Sequence, residues 1–312
     1  MSISQNHSNV ISIIRNIAMF GIIICHILQT FNSDWAWIFN IGVQIFIVIS
    51  GYLYGHKCIS NFTEWFKHRI AKVYVPYILY SIIILTIYSF FDIEQIGIKE
   101  YCIYITDIQA FMGGVKPLKH LWFITAIMIC YVITPFLQLG RKYYKVIMFM
   151  TICLLIFQYY IFNKGIGYSS WIYLYVIGYY IPILTRRQRC LVAIFFILTL
   201  SFALMSISWD GIRNSCIENT ILHINASILL VLLIPLFNRI CHSRKYKFLE
   251  YLNGISYYLF LVHLIYVRPP FHLLNITSNI IINIGLIFAL IWLSALLLRS
   301  MTNKLLQTVK LV

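Results

Sequence analysis

Charge is what this chain has least of. Only nine of its 312 residues are Asp or Glu, and charged residues of both signs make up 11%, against about 25% in soluble domains. So little charge cannot cover a water-soluble globule of this length, and with 61% hydrophobic residues the chain is no disordered one either. Repeats of fixed period and low-complexity tracts are also missing. The eight cysteines include no CxxC pair; they are scattered through apolar runs, where Cys packs as a small apolar residue. The 24 Lys and Arg give a net charge of +15. A nucleic-acid reader presents such residues on a soluble face, whereas here they sit in short clusters between apolar stretches, as membrane orientation signals do. No nucleic-acid partner is expected. What remains is a polytopic membrane protein.

Apolar stretches of about 17–25 residues cross the hydrocarbon core as helices. Ten are found, near 10–30, 36–55, 73–91, 120–139, 146–163, 169–184, 190–208, 220–238, 251–267 and 279–298. The first lacks a basic flank before it and a small-residue cleavage site after it, so it reads as retained. The longest connection, 92–119, is partly amphipathic and fits an interfacial position. With the N-terminus inside, the inner segments collect Lys57, Lys67, Arg69, Lys72, Arg141, Lys142, Lys145, Arg186, Arg187, Arg189, Arg239, Arg244, Lys245, Lys247, Arg299, Lys304 and Lys310. The outer ones hold Lys99, Lys116, Lys119, Lys164, Arg213 and Arg268. This bias predicts an all-α bundle of about ten transmembrane helices with both termini cytoplasmic, formed by a single domain over 1–312 with no appended soluble domain.

Ionisable groups inside a membrane are costly and mark function by default. Arg15 lies near the start of the first span and His26 eleven residues later. Eleven residues advance a helix by roughly 1,100°, so both occupy one face within about 20°, some 16 Å apart along the axis. The plain alternative is an arginine snorkelling to headgroups and a histidine bonded to a neighbouring helix. His120 opens the fourth span and His263 comes late in the ninth, both on the expected outer side with His26. Three imidazoles at similar depth fit a proton-handling site; their spacing matches no zinc pattern, and no metal is expected. Trp122, next to His120, fits an aromatic belt equally well. Arg69 and Lys72 precede the third span, where they serve as an inside anchor or as a phosphate clamp. Ser50, Gly51 and Tyr52 end the second span, and Gly51 permits close helix approach. Cys102 and Cys216 both fall in outer loops, with nothing that requires them to pair.

Five segments in order are similar to the membrane acyltransferase-3 family, which includes bacterial O-acetyltransferases of envelope polysaccharides. Arg15-Asn16-Ile17-Ala18 with His26 resembles its Arg-x10-His signature. Ile45 to Leu53, through Ser50-Gly51-Tyr52, is similar to its "FFVISGFL" stretch. Phe66-Lys67-His68-Arg69-Ile70 through Lys72 to Pro76-Tyr77 resembles its basic loop. His120-Leu121-Trp122-Phe123-Ile124 with Tyr131 and Pro135 follows. Ile255-Ser256-Tyr257-Tyr258-Leu259 to His263 is similar to its late "SYxxYLxH" helix. Two positions depart: Ser12 stands where members often carry an acid, and Lys72 where an arginine is expected.

The resemblance implies transfer of an acyl group, usually acetyl, from cytoplasmic acyl-CoA to a hydroxyl of an envelope glycan or lipid-linked saccharide. Acetyl-CoA is then a co-substrate, with no bound cofactor. It assigns catalysis to His26, donor binding to Arg15, Arg69 and Lys72, and acceptor positioning or a proton path to His120, Trp122 and His263. Ser50, Gly51, Tyr52 and Ser256 are its structural motif. His26 acts either as general base or as a covalent acyl carrier. The expected location is the bacterial plasma membrane, among lipid. The alternative is a polysaccharide exporter without acyl transfer, although a transporter needs a continuous polar path.

Overall fold

A computed structural model describes residues 5–161, 169–206, 216–240, 246–269 and 271–309. Lys164, Arg213, Arg244, Lys245 and Lys310 lie outside the described residues, as do the side chains of Cys216 and Arg239. Cys102 is an exposed free thiol.

The regular structure of the described residues is all helical, with no strand among them. In chain order the α-helices are α1 Gln5–Thr30, α2 Ala36–Phe39, α3 Gly42–Gly55, α4 Phe62–Arg69, α5 Val75–Phe90, α6 Ile98–Ile105, α7 Gln109–Met112, α8 Trp122–Leu139, α9 Tyr144–Ile161, α10 Ser169–Tyr180, α11 Arg186–Ser206, α12 Cys216–Ile240, α13 Lys247–Val262, α14 Leu264–Val267 and α15 Ile280–Thr308. Five continuous helical stretches among the described residues are long and apolar enough to cross a membrane: His7–Thr30, Ala36–Gly55, Phe62–Phe90, Lys116–Phe157 and Ile280–Thr308. Ser170–Ile183 and Leu222–Asn238 are shorter apolar helices. The basic segment that the sequence places ahead of the third span is itself helical. Asn61 caps α4 by accepting from the Glu64 N–H at 3.1 Å, and Lys67, His68 and Arg69 fill its last turn, where cations suit the helix dipole. A π-helical turn, Ile70–Tyr74, then joins α4 to α5.

Two compact units form by contact. The first comprises Met1–Leu28, Asn32–Ser60 and Val132–Tyr251, the second Gln29–Phe31, Asn61–Tyr131 and Leu252–Val312. In the first, α3 and α10 meet backbone to backbone. A Cβ added at Gly51 would lie 2.1 Å from the Tyr175 carbonyl oxygen, one at Gly55 2.0 Å from that of Tyr179, and one at Gly178 2.3 Å from that of Val48. Small residues four apart let helices pack this closely where no hydrophobic effect drives them together. Gly42 gives α3 the same intimacy with α1, since a Cβ there would fall 2.6 Å from the Ala18 carbonyl oxygen.

In the second unit, tyrosines of the π turn and of α5 reach the end of α6. The Tyr74 hydroxyl donates to the carbonyl of Ile105, and that of Tyr77 to the carbonyl of Tyr104 at 2.8 Å and to Gln109 Oε1 at 2.9 Å. These bonds satisfy carbonyls that end α6 without an intrahelical partner. Gln109 Nε2 donates in turn to the Leu121 carbonyl at 2.9 Å and to Asp107 Oδ1 at 3.0 Å, while Thr125 donates to the same carboxylate oxygen at 2.9 Å. Asp107 is 9% exposed and sits at φ +54°, in the left-handed region. Burial pushes its carboxyl up to about 6, against the two hydrogen bonds that favour the charged form.

Two outcomes follow from this packing. A β-carbon at Gly51 meets rigid backbone, so Gly51→Ala costs about 1–3 kcal/mol as overpacking does, and Gly51→Leu is expected to abolish the monodisperse peak on size-exclusion chromatography in detergent. Gly285→Ala, with nothing within 4 Å of the added atom, keeps it. For Asp107, the folded state binds its proton more tightly than the unfolded chain, whose carboxyl has the ordinary value of 3.8. Its stabilising contribution is therefore complete below 3.8 and is lost as pH rises through about 6, roughly 3 kcal/mol in all. Asp107→Asn keeps the acceptor oxygen and tolerates positive φ, so the difference in melting midpoint between mutant and native chain is expected to grow in the mutant's favour from pH 4 to 7.

Candidate functional site

Helix α1 runs unbroken from Gln5 to Thr30, so Arg15 and His26 share one stripe, three turns apart. Both are half-buried. The Arg15 guanidinium lies over the Phe46 ring of α3, 5.8 Å from its centroid, a cation–π contact within the first unit.

Three titratable rings gather at one end of α1 and α3. His7 Nε2 is 2.9 Å from the Tyr52 hydroxyl. The His56 ring stands edge-on to both, with centroids 5.0 Å from His7 and 4.7 Å from Tyr52. Burial, followed by the charges of His7, Arg189 and Arg141, lowers His56 to about 4, so it is neutral near pH 7. Beside them Arg141 closes the end of α3. Its Nη2 donates to the carbonyls of Gly55 at 3.0 Å and Lys57 at 2.5 Å, and its Nε donates to the Tyr179 hydroxyl at 3.0 Å. Gln138 completes the clamp by pairing with both the N–H and the C=O of Ile59, each at 2.9 Å.

The second unit brings His120 and His263 together. Their ring centroids are 5.0 Å apart at 76°, and Phe260 packs against each, at 5.5 and 5.8 Å. His120 is 7% exposed and His263 fully buried. Neither lies inside a regular α-helix: His120 belongs to a 3₁₀ segment, Lys116–Leu121, ahead of α8, and His263 occupies the break between α13 and α14. His120 Nε2 is 3.0 Å from the Leu261 carbonyl and His263 Nδ1 2.7 Å from the Phe260 carbonyl. A carbonyl only accepts, so both ring nitrogens are N–H donors. In the neutral rings His120 Nδ1 and His263 Nε2 are then the basic atoms.

The remaining expected residues take simpler positions. Arg69 ends α4, half-buried, and Lys72 is exposed in the π turn, whose Val73 carbonyl accepts from the Tyr257 hydroxyl at 2.7 Å. Trp122, half-buried, opens α8 edge-on to Phe123 at 6.4 Å. The hydroxyls of Ser50 and Ser256 bond carbonyls of their own helices, Phe46 at 2.7 Å and Asn253 at 3.2 Å. Sequence reasoning overlooked His7, His56 and Asp107 and gave Arg141 an orienting role alone. The two histidines gave no local signal, being 49 residues apart in sequence. Among the described residues no group of three or more His, Cys, Asp or Glu is placed to hold a metal ion.

No curated protein and no solved structure matches the chain. A family model described as an acyltransferase domain does, over residues 9–299, which takes in Arg15, His26, the π turn, both clustered histidines and the start of the last helix's basic end. With apolar helices of membrane-crossing length and nearly the whole chain matched, the protein belongs to the acyltransferase-3 family of membrane proteins.

Proposed function

We propose that the protein moves an acyl group, in the simplest case acetyl, from acyl-CoA at the cytoplasmic face to a hydroxyl of an envelope glycan or lipid-linked saccharide. In this reading the chain crosses a bacterial plasma membrane ten times as one functional module, with both termini inside. The observation that carries it is the pairing of one cation and one imidazole along a single unbroken helix, in a chain of this family. Arg15 then attracts the donor's phosphates near the inner face, together with Arg69 and Lys72 at the end of the basic helix. Guanidinium forks suit phosphate oxygens, and Lys72 adds a point charge.

The chemistry belongs to His26. As general base its neutral imidazole takes the proton of the sugar hydroxyl while that oxygen attacks the thioester carbonyl. Collapse of the tetrahedral intermediate breaks the C–S bond, and the leaving thiolate recovers the proton from the imidazolium. As nucleophile the same nitrogen would attack the thioester first and expel the CoA thiolate, and the sugar oxygen would then take the acyl group from the ring, its proton passing to that thiolate. His120, His263 and Trp122 position the acceptor or carry its proton, a task suited to rings whose tautomers are fixed by backbone carbonyls.

Membranes holding the native chain are expected to pass radiolabelled acetyl from acetyl-CoA to envelope polysaccharide, and membranes holding His26→Ala at equal protein level to pass less than about 1% as much, the loss typical of removing a general base or nucleophile. Equal labelling by the two would remove His26 from the chemistry. Arg15→Gln is expected to raise the KM for acetyl-CoA more than it lowers kcat.

A further inference from the structure

Between α5 and the Lys116–Leu121 segment the second unit folds around a cavity of about 320 Å³. That is the lower end of the roughly 300–1,000 Å³ range of small-molecule sites. Its lining combines the buried side chains of Ile103 and Tyr104 and the exposed Met112 with the polar Glu94, Gln95 and Glu100. The far wall is built by glycine. Gly113 takes φ +78°, and a Cβ on Gly114 would fall 2.6 Å from the Tyr104 hydroxyl, a buried group with no hydrogen-bond partner among the described residues. Side chains at 113 and 114 would therefore fill or unmake the wall.

The charge here runs against the rest of the molecule. Four of the chain's nine acids, Asp92, Glu94, Glu100 and Asp107, fall within 92–107, although the net charge is +15. Two of them line the cavity against one lysine, Lys99. Glu100 Oε2 already accepts from the Gly97 N–H at 2.8 Å, opening α6; Glu94 carries no such structural bond. The carboxylates and the amide of the lining accept hydrogen bonds from vicinal hydroxyls or an amine, and the Ile103 and Tyr104 side chains suit the C–H face of a pyranose. A polyanion such as acyl-CoA is repelled by the same carboxylates.

We infer that this cavity is a binding subsite for the acceptor, and that it takes a neutral or amino-bearing saccharide while rejecting acidic ones. The inference rests on the acyltransferase reading, which puts residues 92–119 on the acceptor's side of the membrane. Glu94 is its specificity-determining residue.

Saturation-transfer difference NMR on the full-length chain in detergent tests this with four oligosaccharide probes: maltotetraose, tetra-N-acetylchitotetraose, its de-acetylated amine form and tetragalacturonic acid. The neutral and amine probes are expected to bind, with the uronic acid weaker by about tenfold. Glu94→Lys is expected to weaken the amine probe by about tenfold and to narrow the gap to the uronic acid, with Glu94→Gln in between; unchanged far-ultraviolet circular dichroism shows that each variant is folded. Equal binding of the acidic probe, no effect of Glu94→Lys, or no binding of any probe to the native chain would overturn the inference. Acetyl transfer in the same preparation separates the two readings. Label transfer without saccharide binding sinks the cavity alone, whereas Glu94-dependent binding without label transfer upholds the cavity and sinks the donor chemistry.

Discussion

The first unit depends on one constraint: two helix backbones touch with no side chain between them. Gly51, Gly55 and Gly178 put peptide against peptide along α3 and α10, and Gly42 repeats the contact between α3 and α1. In lipid, apolar side chains gain little by leaving one apolar medium for another, so close van der Waals packing holds helices together. Helix α3 is thus fixed from two sides. The placement of Phe46 beneath Arg15, and of Tyr52 beside His7, follows from that fixation. Arg141 and Gln138 hold the chain that leaves α3 by its backbone.

The second unit is held differently. Its connection 92–119 carries a polar network, Tyr77–Gln109–Asp107–Thr125, in which each member has a hydrogen-bond partner. Such a network specifies one arrangement, because leaving any buried member unpaired costs more than the bond itself is worth. The Leu121 carbonyl, which accepts from Gln109, belongs to the residue after His120. The histidine pair, at a 3₁₀ segment and a helix break, is therefore set by irregular backbone whose geometry the network and the Phe260 and Leu261 carbonyls maintain.

The sequence made some of this readable and hid the rest for physical reasons. Helical character follows from long apolar runs, since a backbone in lipid must satisfy itself. The common face of Arg15 and His26 follows from helix periodicity alone. Gly51 announces a close approach but not its partner, because α10 carries a single glycine, Gly178, among large residues. The pairing of His120 with His263 joins residues 143 apart in sequence and rests on tertiary packing, which no local pattern encodes. His7 and His56 stand at the ends of apolar spans and share no local pattern. The helix over 62–69 was obscured by its own charge: Lys67, His68 and Arg69 look like a loop until Asn61 is seen capping it.

The π turn at Ile70–Tyr74 holds one residue more than an α-helical turn would. That extra residue is a register setting. Helices α4 and α5 form one rod of membrane-crossing length, yet the faces of its two halves are keyed to different partners, Trp65 to Tyr131 on one side and Tyr77 to α6 on the other. Without the surplus residue the rod would be a plain α-helix turned by about 100° beyond the junction, and the two sets of contacts would be out of phase. The basic helix and the membrane helix after it are thus geared together through a single residue, with Lys72 riding on the gear.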